Sequence, residues 1–376
     1  MGRFFSRIAD FIRESDKILL TLCAFSSLYG CAAVFSATRY TGRYRAALMQ
    51  LAMMLAGIFA AAVISAFDYS DFIRRWYIAA PLGVIPVILT FFIGFAPGDT
   101  DDKAWLNLGF TTFQPSELMK ICFIVTFAAH LSKVKPRINK PAVLAPVLLH
   151  GAFPVLLIHF QGDDGTALVF AVMFVCMLWA AGVSWKYFAA VAATLPAVVP
   201  IVYFFVMNDD QRRRILNMFD IDADIRGAGY QQYQGRIALA NGGWTGQGYL
   251  RGDLTSKGIV PEGHNDFIFV SIGEELGFLG CIAVVILLAA ICIRVLHDAR
   301  ICRKESGKLL CVGFFSMLFA QIVINIGMCL SLLPVIGITL PFFSAGGTSL
   351  FCLYLGVGLV LSVYRHRNSR TIYLHD

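Results

Sequence analysis

Charge is what this 376-residue sequence has least of: Asp, Glu, Lys and Arg together make up only 15%. Soluble globular domains carry about 25%. With 58% hydrophobic residues and a mean hydropathy of +0.70, the shortage excludes a soluble enzyme, a nucleic-acid-binding module and a disordered scaffold. The familiar soluble-enzyme signatures are missing too: no P-loop, no HExxH and no GxSxG. There is no CxxC, and the 10 cysteines fall mostly inside apolar runs. They read as small core residues rather than a disulfide or metal framework. No internal repeat or low-complexity tract is seen. No cleavable signal peptide is expected, because residues 1–17 are too charged and the run after them is long enough to span.

What is present is long apolar runs, at about 18–38, 46–67, 76–97, 115–132, 141–160, 166–183, 187–207, 266–296, 309–333 and 337–364. Each approaches or exceeds the ~20 residues that cross hydrocarbon as a helix. The expected fold is an all-α polytopic membrane protein of about ten helices, one unit over 1–376. The fourth run contains Glu117 and Lys120, so that helix is expected inside the bundle.

Lys and Arg give the orientation. With a cytoplasmic N-terminus, 19 of them fall in inside segments: Arg3, Arg7, Arg13, Lys17, Arg74, Arg75, Lys133, Lys135, Arg137, Lys140, Lys186, Arg294, Arg300, Arg303, Lys304, Lys308, Arg365, Arg367 and Arg370. Only 4 fall in short outside loops: Arg39, Arg43, Arg45 and Lys103. The positive-inside rule predicts both termini in the cytoplasm. The long loop 208–265 then faces outside, with seven basic residues (Arg212, Arg213, Arg214, Arg226, Arg236, Arg251, Lys257) against seven acidic (Asp209, Asp210, Asp220, Asp222, Asp224, Asp253, Glu262). Its length points to function, and its Gly, Tyr and Gln content to an ordered, membrane-apposed loop. A second outside loop, 98–114, carries Trp105 and Phe110 at the interface.

Four stretches could carry chemistry. In Gln114-Pro115-Ser116-Glu117-Leu118-Met119-Lys120, Pro115 suits the first helical position, and Glu117 and Lys120 share a face. They form either a buried structural pair or the lining of a polar cavity. Gln161-Gly162-Asp163-Asp164-Gly165-Thr166 is a tight turn whose acids are solvated turn formers, cation ligands or partners of a Lys or Arg. Pro261-Glu262-Gly263-His264-Asn265-Asp266 opens a run of 31 residues, about 46 Å of helix, with Asp266 at the outer interface as the helix tilts. An N-cap role explains Asn265 or Asp266 but not Glu274 and Glu275, two turns deeper. Finally, Leu340-Pro341-Phe342-Phe343-Ser344-Ala345-Gly346-Gly347-Thr348-Ser349 breaks an apolar run. Gln321 and Asn325 could satisfy the freed backbone groups.

Together these stretches resemble the SEDS family (shape, elongation, division and sporulation), whose members include RodA, FtsW and SpoVE. The resemblance runs from Asp16-Lys17-Ile18-Leu19-Leu20 to the last span. It also takes in Gly229-Tyr230 through Gln234, Gly242-Gly243 through Gly248, and GEELGFLG at 273–280. It implies a bacterial cytoplasmic-membrane protein that polymerises lipid II into peptidoglycan glycan strands outside the membrane. It further implies a class B penicillin-binding protein transpeptidase as partner and no nucleic acid. Asp266 falls on the family's essential aspartate, read as the catalytic base. Glu117 and Lys120 fall on an important Glu/Lys pair, Asp163 on the aspartate of a QPDLGT stretch, and Ser344 in a SYGGSS segment. Gly162 and Asp164 replace Pro and Leu around Asp163, Asn265 replaces Thr, Ala345 replaces Tyr, and Ala240-Asn241 replaces Gly-Ser.

The reaction so implied needs a base, cations near a pyrophosphate and a slot for lipid tails. Lys120 and Arg212, Arg213, Arg214 or Arg236 could hold pyrophosphate. So could a divalent cation, Mg or Mn, on outside carboxylates such as Asp163 or Asp266. No tightly bound cofactor is expected. Gln234, Glu262 and His264 join Asp163 and Ser344 as cavity residues. The alternatives are a lipid II flippase, using Glu117, Lys120, Glu274 and Glu275 as a polar path, and a non-catalytic scaffold. Ionisable residues concentrated in the outer half favour the polymerase.

Overall fold

The computed structural model of the chain describes residues 14–42, 44–96, 103–109, 112–219, 227 and 229–367. Arg3, Arg7, Arg13, Arg43, Phe110, Asp220, Asp222, Asp224, Arg226, Arg370 and the side chain of Asp210 lie outside the described residues. The apolar runs become helices: α1 (Lys17–Ala37), α2 (Arg45–Ser65), a short α3 (Tyr69–Arg74), α4 (Trp76–Ile93), α5 (Pro115–Val134), α6 (Pro141–Gln161), α7 (Asp164–Ala181) and α8 (Trp185–Ile201). Two loop helices follow, α9 (Asp209–Phe219) and α10 (Tyr230–Gly242), then α11 (Ile268–Ile301), α12 (Glu305–Cys329) and α13 (Gly347–Arg365). The only strands among the described residues are a hairpin, β1 (Leu106–Asn107) against β2 (Thr112–Phe113). Trp105 bridges back to Phe95, so the hairpin that Trp105 leads into is pinned to the end of α4.

Nine of these helices are long and apolar enough to cross a membrane. α5 is also of spanning length but is not among them, because Glu117 and Lys120 dilute its apolar run. It is instead wrapped by the rest: 14 of its 20 residues are buried, as expected for a helix carrying charge at membrane depth. α4, α7, α12 and α13 surround it. α2 and α13 approach most closely, where Gly57 faces the Tyr354 ring and Gly358 faces the Ala61 backbone. Small residues at such crossings let helix backbones gain dispersion contacts that lipid cannot supply. α8 is the opposite case. It buries no residue and its contacts gather near its ends: Tyr187 hydroxyl to Asn139 carbonyl at 3.1 Å and the Phe188 ring against Trp179 at the start, and, just past its last turn, Arg212 to the Tyr203 and Phe204 carbonyls at 2.9 and 2.8 Å.

One expectation needs correction. The run from 266 to 296 is not one tilted 46 Å helix. α11 is broken at Gly277, whose φ of 67° and ψ of −164° are non-helical. A Cβ there would meet the Gly246 amide nitrogen at 2.3 Å, so the break needs glycine. The opened backbone is satisfied by the long loop: Gln247 and Gly248 amides donate to the Glu274 and Glu275 carbonyls, and Phe278 and Leu279 amides donate to Gly243 and Trp244. The run from 337 to 364 is interrupted, as the 340–349 stretch predicts. Residues 333–346 are non-helical, and α13 starts only at Gly347.

Candidate active site at the loop end of the bundle

Three chain segments converge at the end of the bundle opposite the termini. The first is the start of α5. Pro115 takes the first helical position with Gln114 as cap, as its missing N–H and fixed φ allow. One turn on, Lys120 Nζ lies 2.9 Å from Glu117 Oε1. The two are 1% and 6% exposed. Glu117 takes one of the three ammonium donors, and no other partner meets Lys120 among the described residues.

The second is the turn before α7. Asp163 caps that helix by accepting the Thr166 amide at 2.9 Å. Its other oxygen accepts from Gln114 Nε2, also at 2.9 Å. The starts of α5 and α7 are thus stapled together, which explains why an acid at 163 belongs with the Glu117/Lys120 pair. Burial pushes the Asp163 carboxyl above its ordinary range, opposed by the Thr166 hydrogen bond and the neighbouring ammonium.

The third is the Glu262–Asp266 turn with the non-helical 333–346 segment laid against it. Asn325 Nδ2 donates to the Asp266 carbonyl at 2.7 Å and the Ile338 carbonyl at 2.6 Å. The Ala345 amide donates to the His264 carbonyl at 2.9 Å. Ser344 accepts the Leu340 amide at 2.7 Å, so its hydroxyl closes the turn. Asn325 therefore does what was expected of it. Gln321 does not: its Oε1 is buried without a partner among the described residues.

Asp266 is not an N-cap. α11 begins at Ile268 with no side-chain cap bond at Phe267, so the capping explanation fails here on geometry. The Asp266 side chain is 7% exposed. Its carboxylate has one side-chain donor, Gln231 Nε2 at 3.4 Å. Burial, and then the Glu262 charge, push it up to about 7. Desolvation disfavours the charged form, and a nearby like charge adds to it. The result is a carboxyl poised to exchange a proton near neutrality. Gln231 was missed from sequence; the only signal was the Tyr/Gln cluster of the loop. Gln234 lies half-buried three residues on, on the same side of α10.

Glu274 and Glu275 do not line this site. Glu274 accepts the Leu254 and Thr255 amides, each at 2.8 Å, and the Thr255 hydroxyl. Glu275 accepts the Ser36 hydroxyl of α1 and the Leu250 and Gly252 backbone amides of the loop. Both hold the long loop onto the α11 break. Of the loop arginines, Arg212 is committed to the end of α8, and Arg214 donates to the Val335 carbonyl at 3.3 Å. Arg213 and Arg236 are exposed.

An open groove of about 650 Å³ reaches the turn from the side, lined by Thr38, Tyr40, Arg45, Asn107, Thr112 and His264 among others. Burial lowers His264 below its ordinary range, so it faces the groove as a neutral ring. Below the charged pair the interior is closed by Phe123, Ile124, Phe127, Phe170, Met177 and Phe314, all buried. Among the described residues no group of three or more His, Cys, Asp or Glu could hold a metal ion. A cation on Asp163 or Asp266 would need most of its ligands from elsewhere.

A sequence-family model described as cell cycle protein, covering FtsW, RodA and SpoVE, matches residues 15–369. The peptidoglycan glycosyltransferase MrdB of Escherichia coli (strain K12) is 33% identical over 352 residues, covering 93% of this chain and 92% of its own. A probable peptidoglycan glycosyltransferase FtsW of Geobacter metallireducens is 30% identical over 361 residues, 94% of this chain and 95% of its own. Among solved structures, a chain of a peptidoglycan synthase complex that coordinates polymerization and crosslinking superposes with a TM-score of 0.82 at 27% identity, covering 95% of this chain and 99% of that one. The crystal structure of the rod shape determining protein RodA of Thermus thermophilus gives 0.66 at 25% identity, covering 95% and 98%.

Proposed function

The chain belongs to the family of FtsW, RodA and SpoVE and as such is a peptidoglycan glycosyltransferase; we propose that it polymerises lipid II into glycan strands, with Asp266 as general base. The observation that carries the assignment is the buried Asp266 carboxyl, raised to about 7 beside the Glu262–His264 turn that borders the groove. In the transfer, a sugar hydroxyl of one lipid-linked disaccharide attacks the anomeric carbon of another. The new glycosidic C–O bond forms as the bond to the polyprenyl pyrophosphate breaks. The hydroxyl proton passes to Asp266. One carboxylate suffices because pyrophosphate leaves without strong acid help, unlike the sugar oxygen in glycoside hydrolysis.

Lys120, buried with two uncommitted donors, is suited to the pyrophosphate charge, and Arg213 or Arg236 to its outer oxygens. Asp163 and Glu117 hold Lys120 in register. His264 offers a neutral ring, Gln234 and Glu262 hydrogen-bonding groups, and Ser344 and Arg214 keep the 333–346 segment in place. Mg or Mn, when bound, would supply further neutralisation, held by a carboxylate such as Asp163 together with substrate phosphates, with Asp266 left free as the base. The apolar plug under the pair argues for chemistry at one face rather than passage of a head group through the bundle. The test is strand synthesis from purified protein and lipid II. Absence of polymer under conditions where an active relative makes it would sink the assignment.

A base raised to about 7 is protonated and idle below that pH. The polymerisation rate is therefore expected to climb about tenfold per pH unit below 7 and to level off above it. Rates measured from pH 5.5 to 8.5 check this, and a flat profile overturns it. The charge asymmetry supports cytoplasmic termini and an outer-face loop 208–265 in a bacterial inner membrane. Arg137→Cys, at an exposed site, should react with an impermeant maleimide only after permeabilisation, whereas Arg213→Cys should react in intact cells. Labelling of residue 137 from outside reverses the topology. The partner we propose is a class B penicillin-binding protein transpeptidase, since the superposing chain comes from a complex that couples polymerization to crosslinking.

A further inference from the structure

Asp164 has no part in the reaction above, and it stands where the resembling stretch has Leu. Its carboxylate nevertheless takes partners on two sides. His159 Nδ1, in the last turn of α6, lies 2.6 Å from one oxygen. Gln211 Nε2, on α9, donates to the other. Gln211 also serves its own helix: its Oε1 accepts the Asn208 amide at 3.0 Å, and its amide donates to Asn208 Oδ1 at 2.8 Å. That reciprocal pair is a capping box. The side-chain NH₂ is what it leaves over, and this is what reaches Asp164. A carboxylate suits the place, because the start of α9 carries partial positive charge.

One turn further along α9 the chain of contacts continues. Arg214 donates to the Val335 carbonyl at 3.3 Å, two residues from Leu333, whose carbonyl accepts separately from Gln232 of α10 at 3.0 Å. Asn325 then joins Ile338 to the Asp266 carbonyl. Besides these, α9 is tied back to the residues just after α8, where Arg212 donates to the Tyr203 and Phe204 carbonyls at 2.9 and 2.8 Å. Leu216 and Phe219 are exposed, and buried Asn217 has an Nδ2 without a partner among the described residues.

We propose that Asp164 is a positioning residue for glycosyl transfer: by gripping Gln211 it seats α9 on the α6–α7 turn and so steadies the 333–338 segment that supports Asp266. The catalytic purpose rests on the reading above; the grip itself does not. Gln211→Glu separates cap from grip, since Glu serves the capping box as well as Gln but sets two carboxylates against each other. Adding Asp164→Asn returns a donor to the pair.

Hydrogen exchange over residues 209–219 and strand synthesis are measured in the full-length protein in nanodiscs. Gln211→Glu should speed α9 exchange and lower kcat, each about tenfold, with KM within about twofold, as loss of a hydrogen bond to a charged group implies. The double variant Asp164→Asn/Gln211→Glu should bring both back to within about threefold of wild type. Unchanged exchange in Gln211→Glu, or faster exchange with kcat unmoved, overturns the proposal, as does a double variant that stays loose. Wild-type protein that makes no strand overturns the reaction reading, and with it the catalytic purpose of the grip, even where α9 loosens as expected.

Discussion

Replacing Asp266 by Asn is expected to leave a folded protein that forms almost no glycan strand, its rate down about 10²–10⁴-fold. An amide cannot take the hydroxyl proton at neutral pH. Asn is nearly the shape of Asp, so the Gln231 contact and the backbone bonds from Asn325 are untouched. The stability side of the experiment has a defined sign. A carboxyl raised from 3.8 to about 7 is one whose ionised form the folded state disfavours. Its contribution to stability is present below the unfolded pKa and lost as pH rises to about 7. Asn keeps a neutral group there at every pH. Asp266→Asn should therefore match wild type in thermal stability near pH 4 and equal or exceed it at pH 8. Loss of polymer with stability retained at pH 8 identifies a base. Near-normal polymer returns Asp266 to a supporting role.

The sequence carried these residues to different depths. The Glu117/Lys120 pair was legible because helical spacing alone brings positions three apart together, and Pro115 marked where the helix starts. Asp163 was legible as a turn acid, but its grip on Gln114 joins residues 49 positions apart, which no local rule reports. Gly277 was misread for a physical reason. Apolar residues continue on both sides of it, so hydropathy sees one helix. The break depends on loop residues 243–248 filling the backbone bonds that the helix gives up. Glu274 and Glu275 followed the same error: placed on a continuous helix they looked like pore residues, whereas at a break they hold a loop. The last apolar run was half legible, since Pro341 and the paired glycines announced an interruption, and Asn325 could be matched to it by spacing. What could not be seen was that one Asn325 amide serves both Ile338 and Asp266, which is what ties that interruption to the base.

The second large effect is expected at Lys120, and it needs a paired design because two explanations share one phenotype. Lys120→Ala leaves Glu117 as an unpartnered buried charge. Breaking such a pair costs about 3–5 kcal/mol, so both thermal stability and polymer should fall whether the pair is structural or functional. Replacing both members separates them. In Glu117→Gln/Lys120→Met the charges are gone together, the volumes are nearly kept, and neutral replacement of a buried pair is often without net cost to stability. A structural pair would then regain both melting temperature and polymerisation. If the ammonium instead meets the pyrophosphate as it leaves, the double variant should melt near the wild-type temperature and still polymerise at least about 10²-fold more slowly, the scale of losing one preorganised charge-stabilising donor. That split is the expected result, because Glu117 occupies one donor of the buried Lys120 and leaves two uncommitted. Recovery of polymerisation along with stability would make the pair a strut.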